Sequence, residues 1–319
     1  EFNFPKAEIA LGKALQYLKP DNWEDIILSY CMRGWTYIAQ GKIKEAYADV
    51  KQTESNIHHI TNPLNLAQIY HSLSIIYTWG VKDYEKAYQY SQQSYNIAEN
   101  AQYHIFQYSS LFSKGLSLFY QYRFAESKEV AKVALDLSER YQVRIGIMLF
   151  HSLLAESLLW NGEILEAHQM ASHYLKHRDL IEEKYAELIF IKIEAIYDFL
   201  QKRSHQALER IKEGMKAAKN INVNFVLLFF LALKSYIYQT LNQEKEKQEV
   251  EKVIQGLLKT FPDFVPLYKR ELSFIDFLTD LKSSFQINES TTLKEKIQKE
   301  KMIQTSQMIS SILDSNELL

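Results

Sequence analysis

The stretch Gly34–Asp49, GWTYIAQGKIKEAYAD, contains the pattern that decides the fold. It begins with a small residue, carries the aromatic Tyr37 shortly afterwards, and reaches a second small residue, Ala46, after 12 positions. The polar break QGK (40–42) lies between the two small residues and favours a turn. The stretch therefore predicts a helix, a turn and a second helix.

The small residues of this unit recur along the whole chain. The first of them returns every 40 or 41 residues, at Gly34, Ser74, Gly115, Ala155, Ala195 and Ser235. The second follows 12 residues later, or 13 in the second unit, at Ala46, Ala87, Ser127, Ala167 and Ala207, and fails at Lys247 in the sixth unit. Helices that cross closely need small side chains at the crossing. The period therefore predicts six helical hairpins that stack on one another.

Composition agrees with a helical chain and excludes several classes of function. The 319 residues are 47% hydrophobic, and five prolines and nine glycines are too few for an all-β protein rich in tight turns. A net charge of −2 gives nucleic acid no general attraction. The longest apolar run, Asn224–Tyr238, is broken by Lys234 and is too short to span a membrane. The single Cys31 fits a reducing cytoplasm.

The spacing resembles that of the tetratricopeptide repeat (TPR) family. That family places a small residue at the eighth position of its motif, an aromatic residue or leucine at the eleventh and alanine at the twentieth. The eleventh position is filled here by Tyr37, Tyr77, Leu118, Leu158 and Tyr238, whereas Asp198 departs from it. Elongated repeats of this length resemble the helical arms of bacterial STAND ATPases and maltose-activator-type regulators. The resemblance implies an all-α fold, a right-handed superhelix (α-solenoid) of helix-turn-helix repeats.

The repeat phase also predicts how the chain is divided. Residues 1–22 are interpreted as the second helix of a truncated repeat, 23–262 as six TPR-like repeats, and 263–285 as a capping helix. Residues 286–319 are interpreted as a polar linker and a signalling helix that resembles the lead-in to a GAF domain. Its apolar stripe predicts a homodimer through 293–319, with contacts from Met302, Ile309, Ile312 and Leu313.

No sequence motif assembles a catalytic site. The tetrapeptide HRDL (His177–Leu180) matches the start of a protein-kinase catalytic loop, but Lys184 stands where that loop requires asparagine, so we interpret it as a chance match. His173 and His177 are four apart on one helix but have no evident third metal ligand. We therefore predict no catalytic residue, no metal site and no cofactor in this chain.

The first helices of the hairpins carry a row of aromatic residues that could receive a partner. The predicted groove consists of Trp35, Trp79, Phe112, Phe119, Tyr120, Trp160, Lys192, Phe199, Phe229 and Tyr236. Only Lys192 among them is basic, so the row lacks the several cations that a site for the terminal carboxylate of a peptide needs. Two interpretations stay open: an apolar groove for a helix, peptide or small effector, or aromatic side chains packed as core.

These patterns favour a non-catalytic interaction or ligand-sensing arm of a larger, cytoplasmic, bacterial signalling protein. The resemblances imply an ATPase or kinase module before the arm and, after it, a GAF domain followed by a histidine kinase, Ser/Thr kinase or nucleotide cyclase. The alternative is a free-standing TPR adaptor or a secreted-effector scaffold. A protein or peptide partner is expected under both interpretations, and other domains of the parent under the first. Neither nucleic acid nor membrane is expected under either.

Overall fold

A computed structural model of the chain describes residues 4–40, 42–141, 146–178, 183–221 and 224–285. All regular structure within these ranges is helical, so the predicted all-α fold is confirmed. The chain divides into two compact units, Glu1–Leu153 (unit 1) and Leu154–Leu319 (unit 2), with the boundary inside the eighth helix. None of the helices in the described ranges is both long and apolar enough to cross a membrane.

Fourteen α-helices occupy the described residues. Unit 1 contains α1 (Phe4–Tyr17), α2 (Trp23–Ala39), α3 (Ile43–Asn56), α4 (Pro63–Ile76), α5 (Tyr84–Asn100), α6 (His104–Tyr120) and α7 (Phe124–Arg140). The helix α8 (Ile147–Trp160) spans the boundary. Unit 2 continues with α9 (Ile164–Lys176), α10 (Lys184–Leu200), α11 (Ser204–Asn220), α12 (Asn224–Thr240), α13 (Glu244–Thr260) and α14 (Val265–Phe285). The even-numbered helices from α2 to α12 are the first helices of six hairpins, and the helix that follows each is its second helix.

The second helices pack through a narrow stripe of small residues. In α5 this stripe is Ala87, Ser91, Ser94 and Ala98, all fully buried at the three- and four-residue steps of one helix face. The serine hydroxyls at such positions find backbone acceptors. In α7, the hydroxyl of Ser127 donates to the carbonyl oxygen of Gly115 at 2.8 Å, which joins the two small residues of one repeat unit.

Glycine occupies two of the close contacts between helices, Gly115 on the first helix α6 and Gly214 on the second helix α11. A Cβ atom added to Gly115 would lie 2.7 Å from Cδ2 of Leu153, closer than side chains pack. A Cβ atom on Gly214 of α11 would overlap the ring of Phe230 on α12. These contacts are the physical reason for the small residues that mark the repeat in the sequence.

The two glycines of the last two second helices should respond oppositely to alanine. We expect Gly214→Ala to destabilise the chain by about 1–3 kcal/mol, because the added methyl group has no room beside Phe230. Gly256→Ala should stabilise it by about 0.5–1 kcal/mol, because Gly256 lies exposed within α13 with nothing near its missing Cβ. Urea unfolding of both variants measures the difference, and equal effects would contradict the packing argument.

Five of the turns inside the hairpins share one left-handed residue at the same position. A left-handed residue recurs every 40 positions, at Lys82, Tyr122, Gly162, Lys202 and Asn242, with φ between 56° and 83°. After α6 and α10 the next amide closes the helix: Arg123 donates to the carbonyl oxygen of Leu118, and Arg203 to that of Asp198, both at 2.9 Å. This bond satisfies a carbonyl group that the helix end would leave unpaired.

One turn differs because it holds an extra residue. After α4 the chain forms a single turn of π-helix over Tyr77–Val81. A π turn accommodates one more residue than an α turn. It therefore accounts for the interval of 13 residues between Ser74 and Ala87, where the other repeats have 12.

The left-handed turn residues allow a matched pair of substitutions. Lys202→Gly should stabilise the chain by about 0.5–1 kcal/mol, because Lys202 is exposed and its Cβ is strained at a φ of 60°. Gly162→Lys, at the equivalent turn with a φ of 83°, should destabilise it by about 1 kcal/mol. Thermal unfolding of both variants tests this pair, and a destabilised Lys202→Gly variant would show that the lysine makes a contact that outweighs its strain.

Candidate functional site

The last helix, α14, lies across the first helices of unit 2. It packs on α12, contacts α10 and reaches the end of α8 through Phe274. We call the surface that it covers the first-helix face; it is formed by Glu156 and Trp160 of α8, Lys192 of α10 and Phe229 of α12. Earlier in the unit, α9 packs against α10 and α11 against α12. Whether α14 also caps the last hairpin, as the sequence suggests, stays a prediction.

An aromatic stack anchors α14 on this face. The rings of Trp160 and Phe274 are nearly parallel, with centroids 3.7 Å apart, and both side chains are almost completely buried. The guanidinium group of Arg270, one turn before Phe274, lies 5.5 Å from the centroid of the Trp160 ring. Trp160 therefore makes a stacking contact and a cation–π contact with the same helix.

Four buried charges surround the stack. The Nζ atom of Lys192 lies 2.6 Å from a carboxylate oxygen of Glu156 and 3.7 Å from one of Glu271 on α14. Arg270 pairs with Glu271, and the Lys192 ammonium group also lies 4.4 Å from the centroid of the Phe229 ring. Two cations thus face two anions. Balance of this kind is required because a single buried charge without a partner would be very costly.

The charge of Glu271 is favoured by its neighbours. Burial alone would raise the pKa of this carboxyl group, but the positive charges of Lys192 and Arg270 outweigh burial and hold the pKa below its ordinary value of 4.5. Glu271 is therefore a carboxylate near neutral pH. It joins α14 to Lys192 of α10 by an electrostatic attraction that depends on that charge.

Replacement of Glu271 by the neutral isostere should reveal this attraction. We expect Glu271→Gln to lower the free energy of unfolding by about 2 kcal/mol near neutral pH, because Lys192 and Arg270 lose an anion. A lowered pKa stabilises the fold above the unfolded value of 4.5, and the stabilisation disappears as pH falls through the folded value. Denaturant unfolding from about pH 7 to about pH 3 should show wild type and variant converging. A difference independent of pH would contradict the electrostatic explanation.

The buried face of α14 has the pattern of a helix that binds in a groove. The side chains of Arg270, Glu271, Phe274, Ile275 and Phe277 are buried, whereas Leu272 and Asp276 are exposed. Helical ligands of hydrophobic grooves present their anchor residues at such three- and four-residue steps. Unit 2 therefore already holds an amphipathic helix on its first-helix face.

Unit 1 contains a separate cleft between α1, α2 and α4. Its volume is about 350 Å³, which lies at the small end of the range for ligand pockets. The residues that line it are mostly apolar: Phe4, Ala7, Leu11, Cys31, Met32, Trp35, Thr36, His71, Ser72 and Ile75. Trp35 stays 41% exposed at its edge, and its ring centroid lies 5.6 Å from that of Phe4. The cleft can receive a small apolar group.

The titratable groups of this cleft are neutral near pH 7. Burial raises the pKa of the Cys31 thiol to about 12, and the thiol lies 3.6 Å from the hydroxyl of Thr53. Burial lowers the pKa of His71 to about 4, and its Nδ1 atom lies 3.3 Å from the hydroxyl of Ser113. A thiol with a raised pKa is a poor nucleophile. The cleft is thus suited to binding an uncharged group.

The predicted groove residues fall into separate local groups. Six of the ten are buried, namely Phe119, Tyr120, Trp160, Lys192, Phe199 and Phe229. Trp79, Phe112 and Tyr236 are half-buried, and Trp35 is exposed. In unit 1, Trp79 contacts Tyr120 edge to face, and Phe112 packs in the same way on Phe150. In unit 2, Phe199 packs on Tyr236. As a continuous groove, the ten residues stay a prediction.

Two carboxylates that complete the first-helix face, those of Glu156 and Glu271, are not among the residues predicted from the sequence. Glu156 and Glu271 lie 36 residues before and 79 residues after Lys192, so no local pattern joins them. A signal existed on each helix separately: Glu156 and Trp160 are four residues apart on α8, and Glu271 precedes Phe274 by three on α14. Only the packing of α14 brings these pairs together.

The other predicted features are placed as follows. Arg178 of the HRDL tetrapeptide forms ion pairs with Glu187 and Glu213, whereas residues 179 and 180 lie outside the described residues. The rings of His173 and His177 meet edge to face, 5.7 Å apart. Across the described ranges, no group of three or more His, Cys, Asp or Glu side chains could hold a metal ion.

The predicted dimer contacts Met302, Ile309, Ile312 and Leu313 lie outside the described residues.

Comparison with known proteins identifies the architecture. No protein-family model and no curated protein sequence matches the chain. Several solved structures do. NprR in complex with its cognate peptide NprX is similar with a TM-score of 0.65 and 13% identity, over 96% of this chain and 91% of that chain.

Two Rap structures are similar as well. The apo form of RapI has a TM-score of 0.59 and 12% identity, over 91% of this chain and 99% of that chain. A Rap protein complexed with Competence and Sporulation Factor has a TM-score of 0.57 and 14% identity, over 85% and 80%. The chain has the fold of TPR-like helical repeat proteins. This likeness confirms the repeat architecture that the small-residue period predicts.

Proposed function

We propose that this chain is a non-catalytic regulatory arm that binds a peptide on its first helices. The observation that carries the proposal is the first-helix face of unit 2, which holds the amphipathic helix α14 through the Trp160–Phe274 stack and four buried charges. A face that binds one helix of its own chain has the shape and chemistry to bind a similar segment of another. The NprR structure, which contains the peptide NprX, supports the proposal through its fold.

The chemistry of the face favours recognition over catalysis. Trp160 and Phe229 present aromatic surface, which supplies much of the binding energy in protein interfaces. Lys192 is the buried cation of the face; it is paired with Glu156 and also attracts a second carboxylate, that of Glu271 on α14, so it favours an acidic group on a partner. The cleft of unit 1, with neutral Cys31 and His71, would add a site for an apolar side chain.

We place this arm in a larger, cytoplasmic, bacterial signalling protein. The resemblance of Thr305–Leu319 to the lead-in helix of a GAF domain supports that placement, with an ATPase or kinase module upstream and a kinase or cyclase output downstream. Dimerisation through 293–319 would transmit the binding event to the output domain. In the alternative, a free-standing adaptor, peptide binding would be the whole function. The gene sequence that flanks this chain distinguishes a signalling arm from an adaptor.

Selection of peptides on the purified chain tests the proposed function. From a displayed library of random 12-residue peptides, we expect sequences that bind and that lose roughly tenfold or more in affinity on Trp160→Ala or Trp35→Ala. Tyr17→Ala is the matched control, because Tyr17 is an aromatic residue that is 85% exposed on α1. Selected peptides that bind all three variants equally, or a library that yields none, would contradict the proposal.

A further inference from the structure

The contact between α14 and the first-helix face is charged at its centre. The side chains of Glu156, Lys192, Arg270 and Glu271 are between 4% and 11% exposed. A buried ion network usually stabilises a contact less than apolar side chains of the same size would, since four charged groups must lose their water. Such a network discriminates strongly between partners, however, because each missing charge leaves another without its counter-ion. This contact is therefore selective more than it is strong.

The first-helix face is also self-sufficient without α14. Lys192 and Glu156 belong to α10 and α8, and their 2.6 Å ion pair does not require Glu271. Removal of α14 would uncover the ring of Trp160 but leave no single uncompensated charge on the face. The face without α14 therefore buries no unpaired charge. A site that exchanges one occupant for another must pass through such an uncovered state.

The connection to α13 is short. Four residues separate Thr260, the end of α13, from Val265, the start of α14, and three of them form a 3₁₀ turn over Pro262–Phe264. A short tether keeps the local concentration of α14 at the face high. An external ligand must therefore compete with a segment that is always present, and its apparent affinity is reduced by the occupied fraction.

From these contacts we infer that α14 is an internal ligand of the first-helix face, displaced by a peptide of the same chemistry. This inference rests on the proposed function and specifies its partner. The partner is an amphipathic helical peptide that, like α14, carries a basic residue next to an acidic one, so that the buried charges stay balanced. Its acidic residue pairs with Lys192 and is followed three positions later by an aromatic residue that stacks on Trp160. Its binding releases α14 from the first-helix face, and this displacement is the signal.

A synthetic peptide copy of α14 tests the inference. The probe is the fluorescently labelled sequence VPLYKRELSFIDFL, residues 265–278, titrated against the full chain by polarisation. We expect the Phe274→Ala chain, whose own α14 is weakened, to bind the probe at least roughly tenfold more tightly than the wild type. Leu272→Ala is the matched control, because Leu272 lies on the exposed side of the same helix and should leave the affinity at the wild-type value.

The two anchors of the probe are tested separately. A probe with glutamine in place of its glutamate, and a probe with alanine in place of its first phenylalanine, should each bind the Phe274→Ala chain roughly tenfold more weakly than the unchanged probe. Because Phe274→Ala removes a buried ring, its fold is checked by circular dichroism. If this variant does not fold, the isosteric Glu271→Gln variant takes its place in the same titration.

The outcomes separate the inference from the proposed function. Equal affinity of wild type, Phe274→Ala and Leu272→Ala for the probe would overturn the inference, as would equal binding of the unchanged and altered probes. Library peptides that depend on Trp160 but lack the acidic and aromatic pair would also overturn it, while the proposed function would stand. A library without any binding peptide would contradict the proposed function itself.

Discussion

The close approach of two helices at each hairpin crossing is the constraint on which this structure depends. Small residues lie where the helices touch in the first five hairpins, as at Gly115, whose carbonyl oxygen accepts a hydrogen bond from Ser127 of the partner helix. A larger side chain there would push the helices apart. In unit 2 the first helices α10 and α12 both pack against the second helix α11. The first-helix face is thus a consequence of residues that do not belong to it.

The sequence predicts the hairpins well because small residues and apolar periodicity are local signals. The spacing of Gly34 and Ala46 indicates a helix, a turn and a helix without any knowledge of distant residues. The extra residue between Ser74 and Ala87 is also visible, although the π turn that absorbs it is not. The left-handed conformation at Lys202 could not be predicted from the sequence, because lysine has no preference for that conformation.

The candidate site is predictable only in part, because its parts come from distant segments. Trp160 and Lys192 are identified from repeat phase alone, and the structure brings them to one surface. What covers them could not be predicted: α14 is recognisable as a helix from its spacing, but where it docks depends on the Trp160–Phe274 stack and the Lys192–Glu271 attraction. Contacts between residues so far apart in the sequence depend on how the helices pack, and the local pattern of a single sequence does not reveal that packing.

The composition of the contact suits a sensor. A purely apolar contact between α14 and Trp160 would bind more firmly and accept many apolar partners. The charges of Lys192 and Glu271 work in the opposite direction, because their loss of water weakens the contact while their pairing restricts what can replace it. The proposed regulatory role would need an occupant that leaves when the correct partner arrives and stays when others do. In this chain both properties follow from one buried lysine placed beside an aromatic ring.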